Sequence, residues 1–364
     1  MSLLRLDIAG IRNIRQASLT LHPQLNLIVG QNGSGKTSIL ESIYFLGSAR
    51  SFRNSSVEPL IANGVEECLV RGEVESNGQS HAVAVQRNRA GSRVIKIDSD
   101  DIKRATDLAS LLPILVLGAD TVNLLLGPPG LRRRFLNWGL FHVEPSFSSV
   151  WEGANRCLKQ RNEVLRQNGP DKELDTWTRE LVKYTERLDQ FRKAYMQVYE
   201  QVFLENCKLM MALTNISCRY FRGWGNDGTL SDWYEKDRGI DRKRGFTQKG
   251  FQRADVRISV NGEEAANTCS RGELKVLSWA MVMSQGAMLE SKKSGNLIYL
   301  VDDMGAELDD QHRQRICDYL KSTGNQIVAT GIKQDSLVAS WKTHEQKLFH
   351  VERGALKLEE SLNG

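Results

Sequence analysis

Short stretches in which polar and apolar residues alternate dominate the first hundred positions of the chain. Five segments have this pattern: residues 4–8, 17–21, 68–75, 81–87 and 93–97. Alternation with a period of two is typical of strands that have one buried and one exposed face. Because only short turns separate the last three segments, we expect them to form an antiparallel meander.

Continuous apolar runs predict a second set of strands, which are buried on both faces. These runs are residues 25–29, 114–117, 297–301 and 326–330. Helical patterns follow or precede them at residues 37–46, 272–290 and 309–322. Strands that alternate with helices in this way indicate an α/β fold, in which distant parts of the chain complete one sheet.

A long helical pattern separates the two halves of this α/β region. From Leu174 to Val202, apolar residues recur at steps of three and four. The spacing is that of a heptad pattern of about four repeats and predicts a helix of roughly 40 Å. A second stripe runs from Trp151 to Leu165, and a turn at residues 168–171 separates the two. We expect an antiparallel helical hairpin within one chain; a dimeric coiled coil is the alternative.

These patterns divide the chain into three parts. Residues 1–120 and 214–364 are predicted to form one α/β domain together, and residues 121–213 an inserted helical arm. Basic residues concentrate in two predicted loops, residues 48–53 and 238–253, and acidic residues interleave with the second. A solvated surface and a contact with DNA are both open interpretations of these loops.

The apolar run at residues 25–29 leads into a segment that fits the phosphate-binding loop, GxxxxGK[ST], at every position. It consists of Gly30, Gln31, Asn32, Gly33, Ser34, Gly35, Lys36 and Thr37. Glycines let successive backbone N–H groups point at phosphate oxygens, and the following helix adds its positive N-terminus. Lys36 is expected to reach the β and γ phosphates of ATP, and the Thr37 hydroxyl to bind Mg²⁺.

The run at residues 297–301 ends in two carboxylates, Asp302 and Asp303. A carboxylate at the end of such a strand holds Mg²⁺ directly or through water in phosphate-loop enzymes. Asp302 is predicted to have this role. Asp303, one residue further on, is placed to orient or deprotonate the attacking water. The predicted catalytic residues are therefore Asp303 and Lys36, and the predicted Mg²⁺ ligands are Thr37 and Asp302.

Composition narrows the class of protein. The 364 residues are 40% hydrophobic and 26% charged, which is ordinary for a globular protein large enough for two lobes. The sequence has neither an apolar run of about 18 residues nor a signal-peptide core, so we expect a cytoplasmic protein. Six cysteines without a CxxC pair indicate neither zinc nor disulfides. A net charge of +5 permits contact with nucleic acid.

The segment that opens the helical pattern at residues 272–290 has two interpretations. Ser270 and Glu273 fit an ordinary capping box. The order of phosphate loop, Ser270 with Gly272 at a helix start, and a strand that ends in two acids also resembles the ABC-type ATPases. That resemblance implies that Ser270 and Gly272 of one head bind the γ-phosphate held by the phosphate loop of a second head. It thus implies an ATP-dependent homodimer.

Within that group, the chain resembles the RecF family of bacterial recombination and repair proteins over essentially its whole length. The motifs are residues 11–13, 29–37, 40–44, 50–53, 130–138, 159–162, 270–272 and 299–309. The resemblance implies an ABC-type head with a mixed sheet, an antiparallel β-subdomain and a helical-hairpin arm. It also implies binding of duplex DNA and single-strand/duplex junctions, weak DNA-stimulated ATP hydrolysis, and partnership with RecR and RecO in loading RecA at gaps and in the SOS response.

Three positions depart from the wider ABC pattern. Asp303 stands where glutamate is common, which shortens its reach and favours a slow switch over a motor. Glu273 replaces a common glutamine, and the run at residues 326–330 ends in Thr330 without the usual histidine. Alternative interpretations are an SMC-like chromosome-organising ATPase and the ATPase subunit of another ABC assembly, such as a transporter. The short arm without a CxxC hook argues against the first.

Overall fold

Strands and helices in a computed structural model of the chain follow these patterns closely. The structure describes residues 1–54, 56, 58–292, 297–341 and 345–359. The strands are β1 Ser2–Ile11, β2 Ile14–Thr20, β3 Leu25–Val29, β4 Glu67–Ser76, β5 Gln79–Asn88, β6 Arg93–Ile97, β7 Asp100–Asp101, β8 Ile114–Leu117, β9 Ile216–Phe221, β10 Asp255–Val260, β11 Glu263–Glu264, β12 Ile298–Val301, β13 Gln326–Gly331, β14 Gln346–Glu352 and β15 Ala355–Glu359.

Helices lie between and beside these strands. They are α1 Lys36–Ser48, α2 Ala105–Leu111, α3 Asn123–Leu126, α4 Pro129–Val143, α5 Phe147–Arg166, α6 Asp171–Met210, α7 Leu230–Lys236, α8 Arg238–Arg244, α9 Ala265–Thr268, α10 Arg271–Lys292, α11 Met304–Glu307, α12 Asp310–Ser322 and α13 Gln334–Trp341. Short 3₁₀ turns occur at Glu58–Leu60, Ala119–Val122 and Phe251–Arg253.

One mixed sheet joins the two ends of the chain. Its order is β15-β14-β3-β13-β12-β8, and every neighbouring pair is parallel except β14 with β15. The strand before the phosphate loop, β3, therefore lies beside β13, which in turn pairs with the acid-ended strand β12. Because the carboxyl ends of parallel strands meet at one edge, this order brings residues 30–37 and 302–303 together.

Two hydrophobic cores lie on opposite faces of the mixed sheet. Alternate side chains of a strand point to opposite faces, so Ile28, Ile298 and Leu300 pack with α1 and the antiparallel sheet. Leu27, Tyr299 and Val301 pack on the other face, with α4, α6, α10 and α12. The antiparallel sheet has the order β2-β1-β4-β5-β6-β7. Strands β4, β5 and β6 form the predicted meander, and the pairing of β1 with β4 joins it to the first two strands.

Helices α5 and α6 form the predicted hairpin, with α6 extending over 40 residues or about 60 Å. The heptad pattern describes its buried face only as far as Tyr195, since Val198 is 48% exposed. Beyond that point Tyr199, Phe203 and Cys207 are buried instead. The reason is a change of partner, because this end of α6 leaves α5 and packs on α10 and β9.

The region predicted as a basic loop is largely helical, so that prediction is wrong. Helices α7 and α8 occupy Leu230–Lys236 and Arg238–Arg244 and pack on the hairpin. Arg238 pairs with Asp175, and Arg242 with Asp171 on α6. These arginines hold the helices against the arm. The α/β class, the mixed sheet and the inserted hairpin are as predicted; the divisions at residues 120/121 and 213/214 stay predictions.

Candidate nucleotide-binding site

The phosphate-loop segment turns sharply between β3 and α1. Gly33 and Gly35 have φ angles of +77° and +122°, which an L side chain rarely adopts. The buried Lys36 folds back over the loop, where its Nζ donates to the carbonyl oxygens of Gly30 at 2.7 Å and Gln31 at 3.1 Å. The ammonium group is thus held at the mouth of the loop in a defined position.

The two acidic residues meet the phosphate loop through hydroxyl groups. The Thr37 hydroxyl donates to Asp302, with 3.1 Å to each carboxylate oxygen. The buried Thr330, at the end of β13, donates to Asp302 Oδ1 at 2.9 Å and accepts from the Asp303 N–H at 2.9 Å. Asp303 has a left-handed backbone with φ of +46°. Thr330 therefore fixes both carboxylate residues, a role that its position after an apolar strand does not reveal.

Burial perturbs the charged groups of this site. It raises the pKa of the Asp302 carboxyl, while the hydrogen bonds from Thr330 and Thr37 oppose the shift. Burial also lowers the pKa of Lys36, against the attraction of Asp303 and Asp302. Within the described residues, no group of three or more His, Cys, Asp or Glu side chains could hold a metal ion. A cation here would need oxygen atoms from a phosphate besides Thr37 and Asp302, which is the usual pattern for Mg²⁺.

The turn between β1 and β2 covers the loop, although the sequence assigned no site residue there. Asn13 Nδ2 donates to the Gly33 carbonyl oxygen at 3.1 Å, and its Oδ1 accepts from Ser38 at 2.9 Å. Arg12 makes a bidentate pair with the fully buried Glu41, at 2.8 Å for both contacts. This pair ties the turn to α1, so Asn13 is positioned from two sides.

The β14–β15 hairpin supports the loop from behind. The Gly354 N–H donates to the Ser34 carbonyl oxygen at 2.8 Å. Gly354 has φ of +81°, and a Cβ atom there would clash with the Asn13 carbonyl oxygen. A Cβ atom on Gly30 would likewise clash with the Val351 carbonyl oxygen. The phosphate loop is therefore also supported by a hairpin from the far end of the chain.

A cleft of about 740 Å³ opens above these groups. It is lined by Asn32, Gly33, Gly35, Lys36, Thr37, Asp302 and Asp303, together with Arg12, Asn13, Arg15, Ser38, Arg53, Pro59, Ile61, Ala62 and Asn63. Gly30 and Gln31 lie beneath it and supply carbonyl oxygens to Lys36. The buried Ser34 Oγ has no hydrogen-bond partner among the described residues. Size, cationic lining and free donor fit a nucleoside triphosphate with a divalent cation.

Ser270 and Gly272, which the ABC resemblance assigns to the γ-phosphate of a second head and which we call the signature segment, lie outside this cleft. The Ser270 N–H and hydroxyl both donate to Glu273 Oε2 at 2.7 Å, and the Glu273 N–H donates back to Ser270 Oγ at 3.3 Å. A Cβ atom on Gly272 would have nothing within 4 Å. The capping box is thus present, and the segment is exposed at the start of α10. The structure does not bring Ser270 or Gly272 to the phosphate loop of the same chain.

Helix α10 connects this exposed start to the arm. Gln285 Nε2 donates to the Phe135 carbonyl oxygen of α4 at 2.6 Å. Tyr199 of α6 donates to the Met281 carbonyl oxygen at 2.9 Å, and Asn206 donates to Ser284 Oγ at 2.9 Å. Lys275 near the helix start pairs with Glu307, four residues beyond Asp303. Helix α10 therefore contacts both the arm and the segment that follows Asp303.

Comparisons with known proteins identify the family and the fold of the chain. The family described as RecF/RecN/SMC N terminal domain matches residues 2–356. The DNA replication and repair protein RecF of Stutzerimonas stutzeri strain A1501 is 40% identical over 359 residues, covering 98% of this chain and 97% of its own. The solved structure of the recombination mediator protein RecF-ATP in the RecFOR pathway has a TM-score of 0.87 at 22% identity, over 99% and 98% of the two chains.

Fold and site together define an ATPase head of the ABC and SMC type, and the predicted fold class is confirmed. The chain belongs to the RecF family, whose relatives in Stutzerimonas and Pseudomonas are DNA replication and repair proteins. The family resemblance seen in the motifs is therefore also confirmed. No helix among the described residues is long and apolar enough to cross a membrane.

Proposed function

We propose that this protein is an ATP-dependent DNA-binding protein of recombinational repair and replication restart. ATP joins two heads, the joined form clamps DNA at single-strand gaps, and slow hydrolysis releases it. The observation that supports this most directly is the half-built site. Lys36, Thr37 and Asp302 are assembled around one cleft, whereas Ser270 and Gly272 face outward.

The residues of one chain divide the chemistry between them. Lys36 and the loop N–H groups bind the triphosphate, and Thr37 and Asp302 hold Mg²⁺. When bound, the cation withdraws charge from the phosphates and fixes their orientation. Asp303 orients or deprotonates the attacking water. Its side chain is one methylene shorter than the glutamate common in ABC heads, which fits slow turnover and a switch in place of a motor.

The second half of the site comes from another molecule. In the dimer, the Ser270 hydroxyl and the N–H groups at the start of α10 face the γ-phosphate bound to the partner. The positive N-terminus of this helix favours an anion there. Because α10 packs on α4 and α6, closure of the dimer moves the arms, and the arms change the fit to DNA.

Membership of the RecF family supports the choice of DNA, RecR and RecO as partners. We expect the dimer to act in the cytoplasm at gaps and single-strand/duplex junctions, with RecR and RecO, to promote loading of RecA and the SOS response. Basic side chains would contact phosphates without reading bases, so affinity falls steeply as salt is raised.

DNA retention with and without ATP tests the clamp. Wild type should hold gapped duplex more tightly with ATP, and Lys36→Arg should lose the difference. Equal retention by both proteins in both conditions would contradict the proposal.

Ser270→Arg should abolish ATP-induced dimers in light scattering while the single heads still bind ATP. The matched control is Thr229→Arg, which disrupts a similar capping box at α7, outside the signature. Normal dimers of Ser270→Arg would contradict the shared site.

A further inference from the structure

A second groove lies where the arm meets the three-stranded sheet β11-β10-β9, well apart in sequence from the phosphate loop. Its volume is about 900 Å³. Five cationic side chains and three aromatic rings line it: Arg133, Lys193, Arg222, Arg253, Arg257, Tyr220, Phe221 and Trp224. The carboxylate in the lining, Asp255, is already paired with Arg132, at 2.7 Å, and lies 3.6 Å from Arg257. The groove is therefore strongly cationic.

Carboxylates compensate two of the five cations, because Lys193 pairs with Asp189 at 2.7 Å and Arg257 lies within 4 Å of Asp255 and Glu264. Among the described residues, Arg133, Arg222 and Arg253 have no carboxylate within 4 Å. Arg222 Nε is buried and has no hydrogen-bond partner within that part of the chain. Arg133 donates only one side of its guanidinium, to the Ala254 carbonyl oxygen at 2.9 Å. Arg222 donates through Nη2 to the Gly225 carbonyl oxygen, which leaves only its Nε unpartnered. Because buried donors are normally satisfied, this Nε points to an anionic ligand, and the half-buried Arg133 and the exposed Arg253 are accessible to the same ligand.

Two of the aromatic rings are arranged for stacking. The Arg257 guanidinium lies over the Phe221 ring at 4.4 Å from its centroid, and Arg222 lies over Trp224 at 4.9 Å. Phe221 is 41% exposed despite its size. Alternating guanidinium groups and aromatic rings suit flat nucleobases better than a peptide, because every base offers a π-face while its phosphate meets the arginine.

The loop between these rings is built rigidly. Gly223 has φ of +93°, and a Cβ atom there would clash with the Gly250 carbonyl oxygen. A Cβ atom on Gly225 would clash with the Trp233 ring. The Gly250 N–H donates to the Gly223 carbonyl oxygen at 3.2 Å. The positions of Arg222 and Trp224 are thus set before any ligand arrives, which reduces the entropy lost on binding.

We propose that this groove binds unpaired nucleotides of a single strand, with bases stacked on Phe221 and Trp224 and phosphates held by Arg133, Arg222 and Arg253. The proposal rests on the proposed function and deepens it, because a groove for unpaired nucleotides would make the protein bind a gap more tightly than intact duplex. Arg133 and Lys193 lie on α4 and α6, which pack on α10, so the groove is also connected to the signature helix.

Fluorescence anisotropy with a labelled oligothymidylate and a labelled blunt duplex tests this inference. Phe221→Ala with Trp224→Ala should weaken oligothymidylate binding by about tenfold or more, since each stacked base contributes about 1–3 kcal/mol. Duplex affinity should change by less than about threefold, because the phosphate contacts remain. Unchanged oligothymidylate affinity, or an equal loss for both DNAs, would overturn the proposal.

Charge reversals provide a second test that does not disturb the half-buried Trp224. Arg253→Glu and Lys193→Glu should weaken oligothymidylate binding and reduce its salt dependence, with the smaller effect at Lys193, which already pairs with Asp189. The matched control is Lys183→Glu, an exposed lysine of the same helix as Lys193 that lies outside the groove. Loss of binding in the control as well would contradict a local site.

Two further measurements separate the alternatives. Crosslinking to 5-iodouracil in the oligonucleotide should label Phe221 or Trp224, and labelling only elsewhere would overturn the assignment. Polyglutamate at equal charge should compete poorly; full competition would indicate an acidic protein segment as the ligand. Failure of the proposed function would give a different result. Retention of duplex by wild type would then be the same with and without ATP, while Phe221→Ala with Trp224→Ala would still weaken oligothymidylate binding.

Discussion

The phosphate loop and the signature segment differ in how the fold supports them. Asn13 from the β1–β2 turn, Thr330 from β13 and Gly354 from the β14–β15 hairpin all contact the loop or its acidic partner. Among the described residues, the Ser270 side chain bonds only to Glu273, within its own helical turn. One half of the proposed site is therefore completed inside the chain. The other half is exposed, as expected for residues that contact another molecule.

Replacing the loop lysine should have the largest effect on this comparison. Lys36→Met removes a buried ammonium group and one donor from each of the carbonyl oxygens of Gly30 and Gln31, of which Gln31 keeps the Ser34 N–H. We expect ATP affinity to fall by about 100-fold, or about 2.7 kcal/mol, in calorimetric titration. Lys347→Met is the matched control, because that lysine also donates to a carbonyl oxygen, Thr20, but lies outside the cleft. Equal losses in both variants would contradict a specific role.

The hydroxyl group between the two acids should affect turnover more than binding. Thr330→Val keeps the side-chain shape but removes the donor to Asp302 and the acceptor for the Asp303 N–H. Hydrolysis should fall by about tenfold, while ATP affinity changes by less than about threefold. Thr323→Val is the control, since that hydroxyl has a similar donor and acceptor role outside the cleft: it donates to the Leu320 carbonyl oxygen and accepts from the Asn325 N–H. A parallel loss of affinity and rate would show that Thr330 merely supports the fold.

The support behind the loop can be tested with two glycines that share a backbone conformation. Gly354 and Gly262 have φ angles of +81° and +86°, but a Cβ atom clashes with Asn13 only at Gly354. Both Ala variants should lose about 1–2 kcal/mol from left-handed strain. Gly354→Ala should lose a further 1–3 kcal/mol and bind ATP several-fold more weakly. Thermal unfolding measures the stability, and identical results for the two would contradict the role of the hairpin.

The smallest expected effect is on the pH dependence of folding stability. Hydrogen bonds from Ser270 hold the pKa of Glu273 below its ordinary value. A carboxyl group whose pKa is lower in the folded state stabilises the fold when the pH is above its pKa in the unfolded state. This contribution is lost as the pH falls through the pKa of the folded state. The stability difference between wild type and Glu273→Gln should therefore shrink on acidification. Asp232→Asn in the Thr229 box is the matched comparison, since the pKa of Asp232 is lowered in the same way. A constant difference across pH would contradict the capping geometry.

Local patterns were enough for the strands and for the loop that binds phosphate, because the chemistry there lies in consecutive residues. Apolar runs at 25–29, 114–117, 297–301 and 326–330 correspond to β3, β8, β12 and β13 with small shifts at the ends. The same patterns could not reveal Asn13 or Gly354. Both act through contacts between residues far apart in sequence, and only the sheet order brings them to the loop.

Tertiary contacts also overrode the pattern in two places. Residues 238–244 were predicted as loop because glycine and mixed charges interrupt them, yet they form α8. Arg161 of α5 is buried against Asp241 at 2.8 Å and also donates to Thr178 and Thr247, which holds that helix on the arm. The heptad pattern in α6 fails at Val198 for a similar reason, since the helix changes neighbours there.

Mixing two inactive variants tests the central claim most directly, that one functional site needs two chains. Lys36→Met lacks a working phosphate loop, and Ser270→Arg lacks a working signature. A mixed dimer should contain one intact site of two, because a two-fold interface pairs each loop with the other chain's signature. We predict that ATP hydrolysis is lost in each variant alone and returns in the mixture to at most about half of the wild-type rate. A mixture as inactive as its components, or an active Ser270→Arg protein alone, would contradict the account.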